Sequence, residues 1–185
     1  MMALKADSSK MWLDLGYELF SEEGHEGLQV ERLSRILGKN KSGFYHFFRS
    51  KEIYLEKLMQ MHVEKEETLI PKFTGLPEIS GRFLDLLVDN KQTILFQTHL
   101  VKNRDTKLFQ DTYFQVNRMI EMAVQPIWVK YLGVSDEVAM KYWGIIRDTF
   151  YARVTSKTFN QVWLSEFMDE AKSILRNAQN DSASA

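Results

Sequence analysis

The chain of 185 residues contains no cysteine, which excludes disulfide bonds and thiolate metal sites and fits a reducing compartment. No apolar run approaches the roughly 18 residues that are needed to span a bilayer. No N-terminal stretch has the layout of a signal peptide. We therefore expect a soluble cytoplasmic protein without a membrane partner.

Recognisable catalytic patterns are also missing. The four histidines form no i, i+4 pair and no spacing typical of metal ligands. No glycine-rich phosphate loop and no G-x-S-x-G elbow occurs. We expect a protein that is not an enzyme and that holds no metal and no cofactor.

Proline is scarce as well, with three residues, and no segment shows sustained period-2 alternation of apolar and polar side chains. The hydrophobic fraction of 44% is normal for a globular protein, and the chain is long enough to bury a core. The sequence therefore predicts an all-α fold.

Residues 19–51 predict a short pair of helices joined by a tight turn. Val30, Leu33 and Leu37 recur at helical spacing, and Gly38 then ends the helix as a residue that tolerates positive φ. Asn40 is a suitable N-cap for the next helix, because its side chain can accept a backbone N–H.

The helix that follows is about two turns long and rich in aromatic residues. Phe44 and Phe48 are four residues apart and can pack inward together, whereas Tyr45 can face outward. Ser50 is expected to cap a longer fourth helix that starts at Lys51.

The charge of this segment differs from that of the whole chain. A net charge of -1 argues at first against binding to nucleic acid, but residues 32–51 contain six basic and no acidic side chains. A basic run alone is often only a solvated face. Together with the helix-turn-helix pattern, it indicates a helix that enters a DNA major groove.

The same segment resembles the N-terminal DNA-binding domain of TetR-family transcriptional regulators. The resemblance covers roughly the first 55 residues and includes the helix lengths and the turn glycine. The matching residues are Leu19, Phe20, Gly24, Val30, Leu33, Gly38, Lys41, Tyr45, His46, Phe48, Ser50, Lys51 and Glu52. The resemblance implies an N-terminal three-helix helix-turn-helix domain followed by a C-terminal helical ligand-binding and dimerisation domain.

The resemblance also implies which residues meet DNA. Tyr45, His46 and Lys51 would contact phosphates, and Lys41 would lie near phosphates or bases. The full set of candidate DNA-binding residues is Gln29, Lys39, Asn40, Lys41, Ser42, Tyr45, His46 and Lys51.

Three positions depart from the family pattern. Lys39 replaces a small apolar residue, Gln29 replaces a capping hydroxyl residue, and Gly43 replaces a hydroxyl residue in the recognition helix. Glycine in a helix costs about 1 kcal/mol relative to alanine. Gly43 and the near-neutral charge support an alternative hypothesis, in which the fold acts through protein contacts and DNA binding is weak or lost.

The remainder of the chain predicts further helices. They cover about 51–70, 83–101, 106–131 with a bend or break near Pro126, 135–156 capped by Ser135, and 160–176 capped by Asn160. Residues 71–81 are expected to form a loop. We predict three regions: 1–51 for DNA binding, 52–176 for effector binding and dimerisation, and 177–185 as a disordered tail.

The last two predicted helices each carry an apolar stripe. The stripes are Val138, Tyr142, Ile145, Ile146 and Thr149, and then Val162, Trp163, Phe167, Ala171, Ile174 and Leu175. The resemblance implies a homodimer through helices 135–156 and 160–176, and a palindromic operator would require a two-fold protein. The alternative is that these stripes only close the core of a monomer.

The middle helices are rich in aromatic residues and methionine. The resemblance implies a cavity for a small effector, and we predict Phe96, His99, Phe114 and Met122 as ligand-binding residues. Such stripes are more often core packing. We expect a transcriptional repressor that a small apolar or aromatic effector releases from a pseudo-palindromic operator in double-stranded DNA.

Overall fold

The computed structural model describes the backbone of residues 2–183 and the side chains of residues 9–178. Over this part of the chain the fold is all-α, as predicted, and contains no strand. The helices are α1 (Met2–Glu23), α2 (Val30–Leu37), α3 (Lys41–Phe48), α4 (Lys51–Thr74), α5 (Gly81–Asp89), α6 (Lys91–Lys102), α7 (Lys107–Leu132), α8 (Asp136–Arg153) and α9 (Gln161–Ala183). A short 3-10 helix, His25–Gly27, follows α1.

The described residues form two compact packing units. Within the described range, the first contains residues 2–70 and 92–119, and the second contains residues 71–91 and 120–183. The predicted division into 1–51, 52–176 and 177–185 concerns function and stays a prediction.

Several predicted helix ends agree with the structure. Gly24 and Gly38 have φ of 77° and 61° and follow α1 and α2 respectively. The Ser135 hydroxyl accepts the Val138 N–H, and the Asn160 side chain accepts the Trp163 N–H at 3.0 Å. These caps are local, so the sequence alone could identify them.

Other predicted boundaries were wrong. Helix α4 does not stop before Pro71 but runs on to Thr74, whose hydroxyl donates to the Pro71 carbonyl at 2.8 Å and closes the last turn. The predicted helix over 83–101 is two helices. The Asn90 side chain donates to the Leu86 carbonyl at 2.8 Å, which competes with helix continuation and ends α5.

The C-terminal boundaries also differ. Helix α7 continues through Pro126 to Leu132, and α8 ends at Arg153 rather than near residue 156. Helix α9 continues to Ala183, although the sequence predicted its end near Arg176. The last two residues of the predicted tail, 184 and 185, lie outside the described residues.

Aromatic side chains form the core around α1, α3 and the first part of α4. The Phe44 ring lies 5.5 Å from Trp12 and 5.0 Å from Tyr54, measured between centroids, and all three residues are buried. The Tyr54 hydroxyl donates to the Trp12 carbonyl at 2.8 Å. This bond satisfies a phenol that would be costly to bury alone, and burial raises the pKa of Tyr54.

Gly16 allows the close approach of Tyr54 to α1. A Cβ atom at position 16 would lie 1.7 Å from the Tyr54 hydroxyl oxygen and 2.8 Å from the ring carbon that bears it. The absence of a side chain at Gly16 is therefore a packing requirement, although it lies in the middle of a helix.

We predict that Gly16→Ala destabilises the protein by about 1–3 kcal/mol, because overpacking outweighs the gain of about 1 kcal/mol in helix propensity. Chemical denaturation of the wild type and the variant measures the difference. Gly16→Ala combined with Tyr54→Phe should be less destabilising than the sum of the two single changes. A Gly16→Ala variant more stable than the wild type would contradict the packing account.

Candidate nucleic-acid interface

The turn between α2 and α3 positions α3, which the sequence predicts to be the DNA-recognition helix. Gly38 adopts φ 61° and ψ 33°, and the Lys39 N–H returns to the Ser34 carbonyl at 2.9 Å. Asn40 is extended and α3 begins at Lys41. The chain therefore reverses within three residues, as the sequence predicted.

The two faces of α3 are distinct. Phe44 and Phe48 are 0% and 1% exposed, whereas Tyr45 is 49% exposed. The predicted inward and outward positions are confirmed. Packing of the two phenylalanines fixes which side of α3 remains open to a partner.

Most of the predicted DNA-binding residues lie on the surface. Exposed side chains are those of Gln29, Lys39, Asn40, Lys41, Ser42, Tyr45 and His46. Lys51 is half-buried at the first position of α4. Except for Gln29, they fall within the thirteen-residue stretch that contains α3 and the start of α4.

Two predicted caps have different outcomes. The Ser50 hydroxyl accepts the Ile53 N–H at 3.3 Å, which confirms it as a cap of α4. Asn40 is at the N-cap position of α3, but its side chain makes no capping hydrogen bond, so that prediction was wrong. The carbonyl of Asn40 does accept the Gly43 N–H at 2.9 Å. The Asn40 amide and the N–H groups of Lys41 and Ser42 therefore remain available to a ligand, whereas the Gly43 N–H is already bonded.

Ion pairs involve two of the six basic residues of this segment. Lys41 donates to Glu31 on α2 and Arg32 donates to Glu23 on α1. These hydrogen bonds hold the pKa of Glu31 and of Glu23 below the ordinary range. Among the described residues no carboxylate forms an ion pair with Arg35, Lys39 or Arg49. Lys51 forms no direct ion pair, but its charge helps to lower the pKa of Glu31 and of Glu52.

Arg49 was not among the predicted DNA-binding residues. It is exposed, and its φ of 62° makes it the one non-glycine residue with positive φ among those described. Its N–H donates to the Tyr45 carbonyl at 3.0 Å and ends α3. A side chain held at positive φ costs about 1–3 kcal/mol, and such strain is often found at binding surfaces. The basic run contained this residue, but the sequence gave no sign of its backbone conformation.

Residues 13–56 match the family model described as bacterial regulatory proteins, tetR family. The matched range contains the turn, α3, and the start of α4. The chain carries a TetR-family N-terminal domain. This confirms the resemblance on which the helix-turn-helix prediction depended.

Two solved structures resemble this protein over most of its length. A transcriptional regulator (TerR/AcrR family) from Aquifex aeolicus VF5 is 19% identical, with a TM-score of 0.61 over 92% of this chain and 99% of that chain. A putative TetR-family transcriptional regulator from Mesorhizobium loti MAFF303099 is 12% identical, with a TM-score of 0.61 over 92% and 95%. The comparison with curated proteins gave no match. The chain therefore has the fold of TetR-family transcriptional regulators.

The predicted ligand-binding residues occupy different environments. Phe96 is fully buried, and its ring stacks on Phe20 and Tyr17 at centroid distances of 4.1 and 4.5 Å. His99 is half-buried. Phe114 and Met122 are 59% and 69% exposed. The assignment of these four residues to an effector site stays a prediction.

A buried chain of hydrogen bonds lies beside Phe96. The Tyr17 hydroxyl is 2.8 Å from His62 Nδ1, and His62 Nε2 is 2.8 Å from Gln97 Oε1. The Gln97 side chain also donates to the Tyr113 carbonyl at 3.2 Å. Because Gln97 Oε1 can only accept, His62 donates through Nε2 and accepts the Tyr17 proton at Nδ1. These hydrogen bonds thus connect α1, α4, α6 and α7, and the histidine among them is neutral.

Burial affects two ionisable groups on the same side of α4. It lowers the pKa of His62 to about 4, because the charged form cannot be solvated. It raises the pKa of the Glu66 carboxyl to about 7 for the same reason. The burial of His62 and Glu66 was not predicted from the sequence. The i, i+4 spacing of His62 and Glu66 along an apolar face was the available signal.

We predict that these two groups give opposite dependences of stability on pH. The folded-state pKa of His62 lies below its ordinary value, so its contribution is complete above pH 6.5 and falls by about 3 kcal/mol towards pH 4. The pKa of Glu66 is raised, so its contribution is complete below pH 4.5 and falls by a similar amount, about 3 kcal/mol, towards pH 7. In the wild type the two slopes largely cancel between pH 4.5 and 6.5.

Single variants should separate the two effects. His62→Gln should leave a stability that falls as pH rises from 4.5 to 7, and Glu66→Gln one that rises from pH 4 to 6.5. Urea denaturation at a series of pH values measures both. Glu67→Gln, an exposed neighbour, is the control and should keep the wild-type profile. Parallel profiles for all three variants would show that neither group titrates as described.

Proposed function

We propose that this chain is a sequence-specific DNA-binding regulator of transcription that acts as a dimeric repressor. The main support for the proposal is that α3 has one buried and one exposed side. Phe44 and Phe48 anchor the inner side. The exposed polar residues on and just before the helix are Lys39, Asn40, Ser42, Tyr45 and His46. A short helix held in this way can enter a major groove and present its side chains to base edges and phosphates.

The electrostatics of the segment support contact with phosphates. Arg35, Lys39 and Arg49 make no ion pair with a described residue, so their charge is available to an anionic partner. Lys51 makes no direct ion pair either, but its charge already acts on the carboxylates of Glu31 and Glu52. Lysine and arginine contacts to phosphates release counterions and make binding weaker as salt increases. The overall charge of -1 does not oppose this, because the basic residues are local.

The surfaces of α8 and α9 support a dimer. The two helices pack on each other, with the Phe150 and Phe167 rings 5.6 Å apart and both Phe167 and Ala171 buried. Other apolar residues of the same helices stay exposed, namely Val138, Ile145, Val162 and Ile174 at 40%, 63%, 68% and 54%. Part of each predicted stripe therefore closes the core of the unit, and part is free to meet a second copy.

The effector step follows from the repressor proposal. A small apolar or aromatic ligand would favour a state in which the two recognition helices no longer match successive major grooves, about 34–36 Å apart. Such coupling requires that the ligand bind the two states with affinities that differ by about 1–3 kcal/mol. The proposal assigns no catalytic step to the protein.

Selection of bound sequences from a random duplex library at two salt concentrations tests the proposed function. We expect enrichment of a pseudo-palindrome whose binding weakens as salt rises. A folded protein that enriches no motif would contradict the proposal and favour a protein that uses this fold for protein contacts.

We predict that Glu31→Gln strengthens DNA binding by about three- to tenfold at low salt. The change frees Lys41 from its intramolecular partner, and one more phosphate contact should steepen the salt dependence by about 0.9 in log–log slope. Fluorescence anisotropy with a labelled duplex measures both quantities.

The other ion pair of this region provides a matched control for that variant. Glu23→Gln frees Arg32, which is half-buried and not a candidate contact, so it should leave the slope unchanged. Equal changes of DNA affinity and salt slope in Glu31→Gln and Glu23→Gln would show that Lys41 makes no specific contact with DNA.

We predict that Ile145→Glu converts the dimer to a monomer, because it places a charge on the exposed apolar face of α8. Sedimentation equilibrium at micromolar concentration measures the state. Lys157→Glu, in the loop between α8 and α9, changes charge in the same direction and should stay dimeric. A monomeric wild type, or a dimeric Ile145→Glu variant, would refute this interface.

A further inference from the structure

A cavity of about 270 Å³ lies beside the recognition helix. It is lined by Met11, Trp12, Leu37, Lys39, Asn40, Ser42, Gly43 and Phe47. Its volume is near the lower end of ligand pockets, about 300 Å³. A small molecule rather than a macromolecular segment fits this space.

Gly43 helps to keep the cavity open. A Cβ atom at this position would meet no atom closer than Trp12, at 4.0 Å, so it would extend into free space. Glycine inside an eight-residue helix is otherwise less favourable than alanine. The residue that weakens α3 therefore also leaves room next to it.

The lining has two chemically different parts. Met11, Leu37 and Phe47 give an apolar wall, and Met11 is 40% exposed. At the other side the Lys39 ammonium has no partner among the described side chains. The Asn40 side chain makes no capping bond, so the positive N-terminal end of α3 is open here as well. An apolar wall beside a positive rim fits a small amphipathic anion.

We propose that this cavity binds a small amphipathic carboxylate, and that its occupation excludes DNA. The exclusion rests on the proposed function, since Lys39, Asn40 and Ser42 are also candidate DNA contacts. A carboxylate at the rim would take the same ammonium and N–H donors that a phosphate would use. Control of this kind would act directly on the DNA-reading surface, without a conformational change in the remainder of the chain.

Octanoate is a suitable probe for the full-length protein, with octanol as its neutral counterpart of equal chain length. Amide chemical shifts in a ¹H–¹⁵N spectrum report binding without DNA. We expect saturable shifts for Lys39, Asn40, Ser42 and Gly43 with octanoate, and weaker binding of octanol. Absence of these shifts, or shifts confined to residues outside the cavity, would overturn the proposal.

Variants test the two parts of the lining. Lys39→Gln should weaken octanoate binding by about three- to tenfold through loss of the charge, whereas Lys72→Gln, an exposed lysine near the end of α4, should not. Gly43→Leu should fill the cavity and abolish the shifts of its neighbours, and its thermal unfolding confirms that it folds. Unchanged octanoate affinity in both Lys39→Gln and Gly43→Leu would overturn the site.

Competition with the selected duplex tests exclusion separately. Octanoate should reduce the apparent DNA affinity by the factor 1 + [octanoate]/Kd, which is about tenfold when the octanoate concentration is ten times its measured Kd. Unchanged DNA affinity at full occupancy would overturn the exclusion. A wild type that binds no duplex even without octanoate would instead contradict the proposed function, while the amide shifts would still decide whether the cavity binds the anion.

Discussion

Aromatic packing beneath α3 is the constraint on which the proposed DNA-binding surface depends. Phe44 sits between Trp12 of α1 and Tyr54 of α4, and Tyr54 reaches the α1 backbone only because Gly16 has no side chain. This packing fixes the rotation of an eight-residue helix that could not be stable in isolation. Once its inner side is fixed, the polar residues on its outer side have a defined direction.

The core next to α1 adds a polar constraint to the aromatic one. His62 accepts a hydrogen bond from Tyr17 and donates one to Gln97, so three helices share hydrogen bonds between buried side chains. Loss of any one member would leave a buried polar group unpaired, which costs more than the bond itself contributes. These hydrogen bonds fix the positions of α1, α4 and α6 relative to one another. They also make this part of the core sensitive to protonation, although His62 and Glu66 respond to pH in opposite directions.

Local chemistry explains which features the sequence could predict. Gly38, Ser50, Ser135 and Asn160 mark helix ends through their own backbone freedom or hydroxyl and amide groups, and the structure places helix ends at all four. The predicted helices over 51–70 and 83–101 had wrong boundaries at Pro71 and Asn90, because whether a helix continues past a proline or stops at an asparagine depends on its neighbours. Helical spacing also showed that Phe96, Phe114 and Met122 lie on helices, but not which of them would be buried. The cavity beside Gly43 and the positive φ of Arg49 are products of tertiary packing and left no pattern in the sequence.

Hydroxyl-radical and major-groove methylation footprinting on the selected duplex would test the central claim most directly, namely that α3 reads DNA in a two-fold assembly. The account predicts two protected major-groove patches, about one helical turn or 34–36 Å apart, related by the pseudo-dyad of the site. It also predicts that both patches are lost together in Tyr45→Ala combined with Lys51→Ala. A single patch, protection confined to the minor groove, or a footprint that survives this double change would contradict the account.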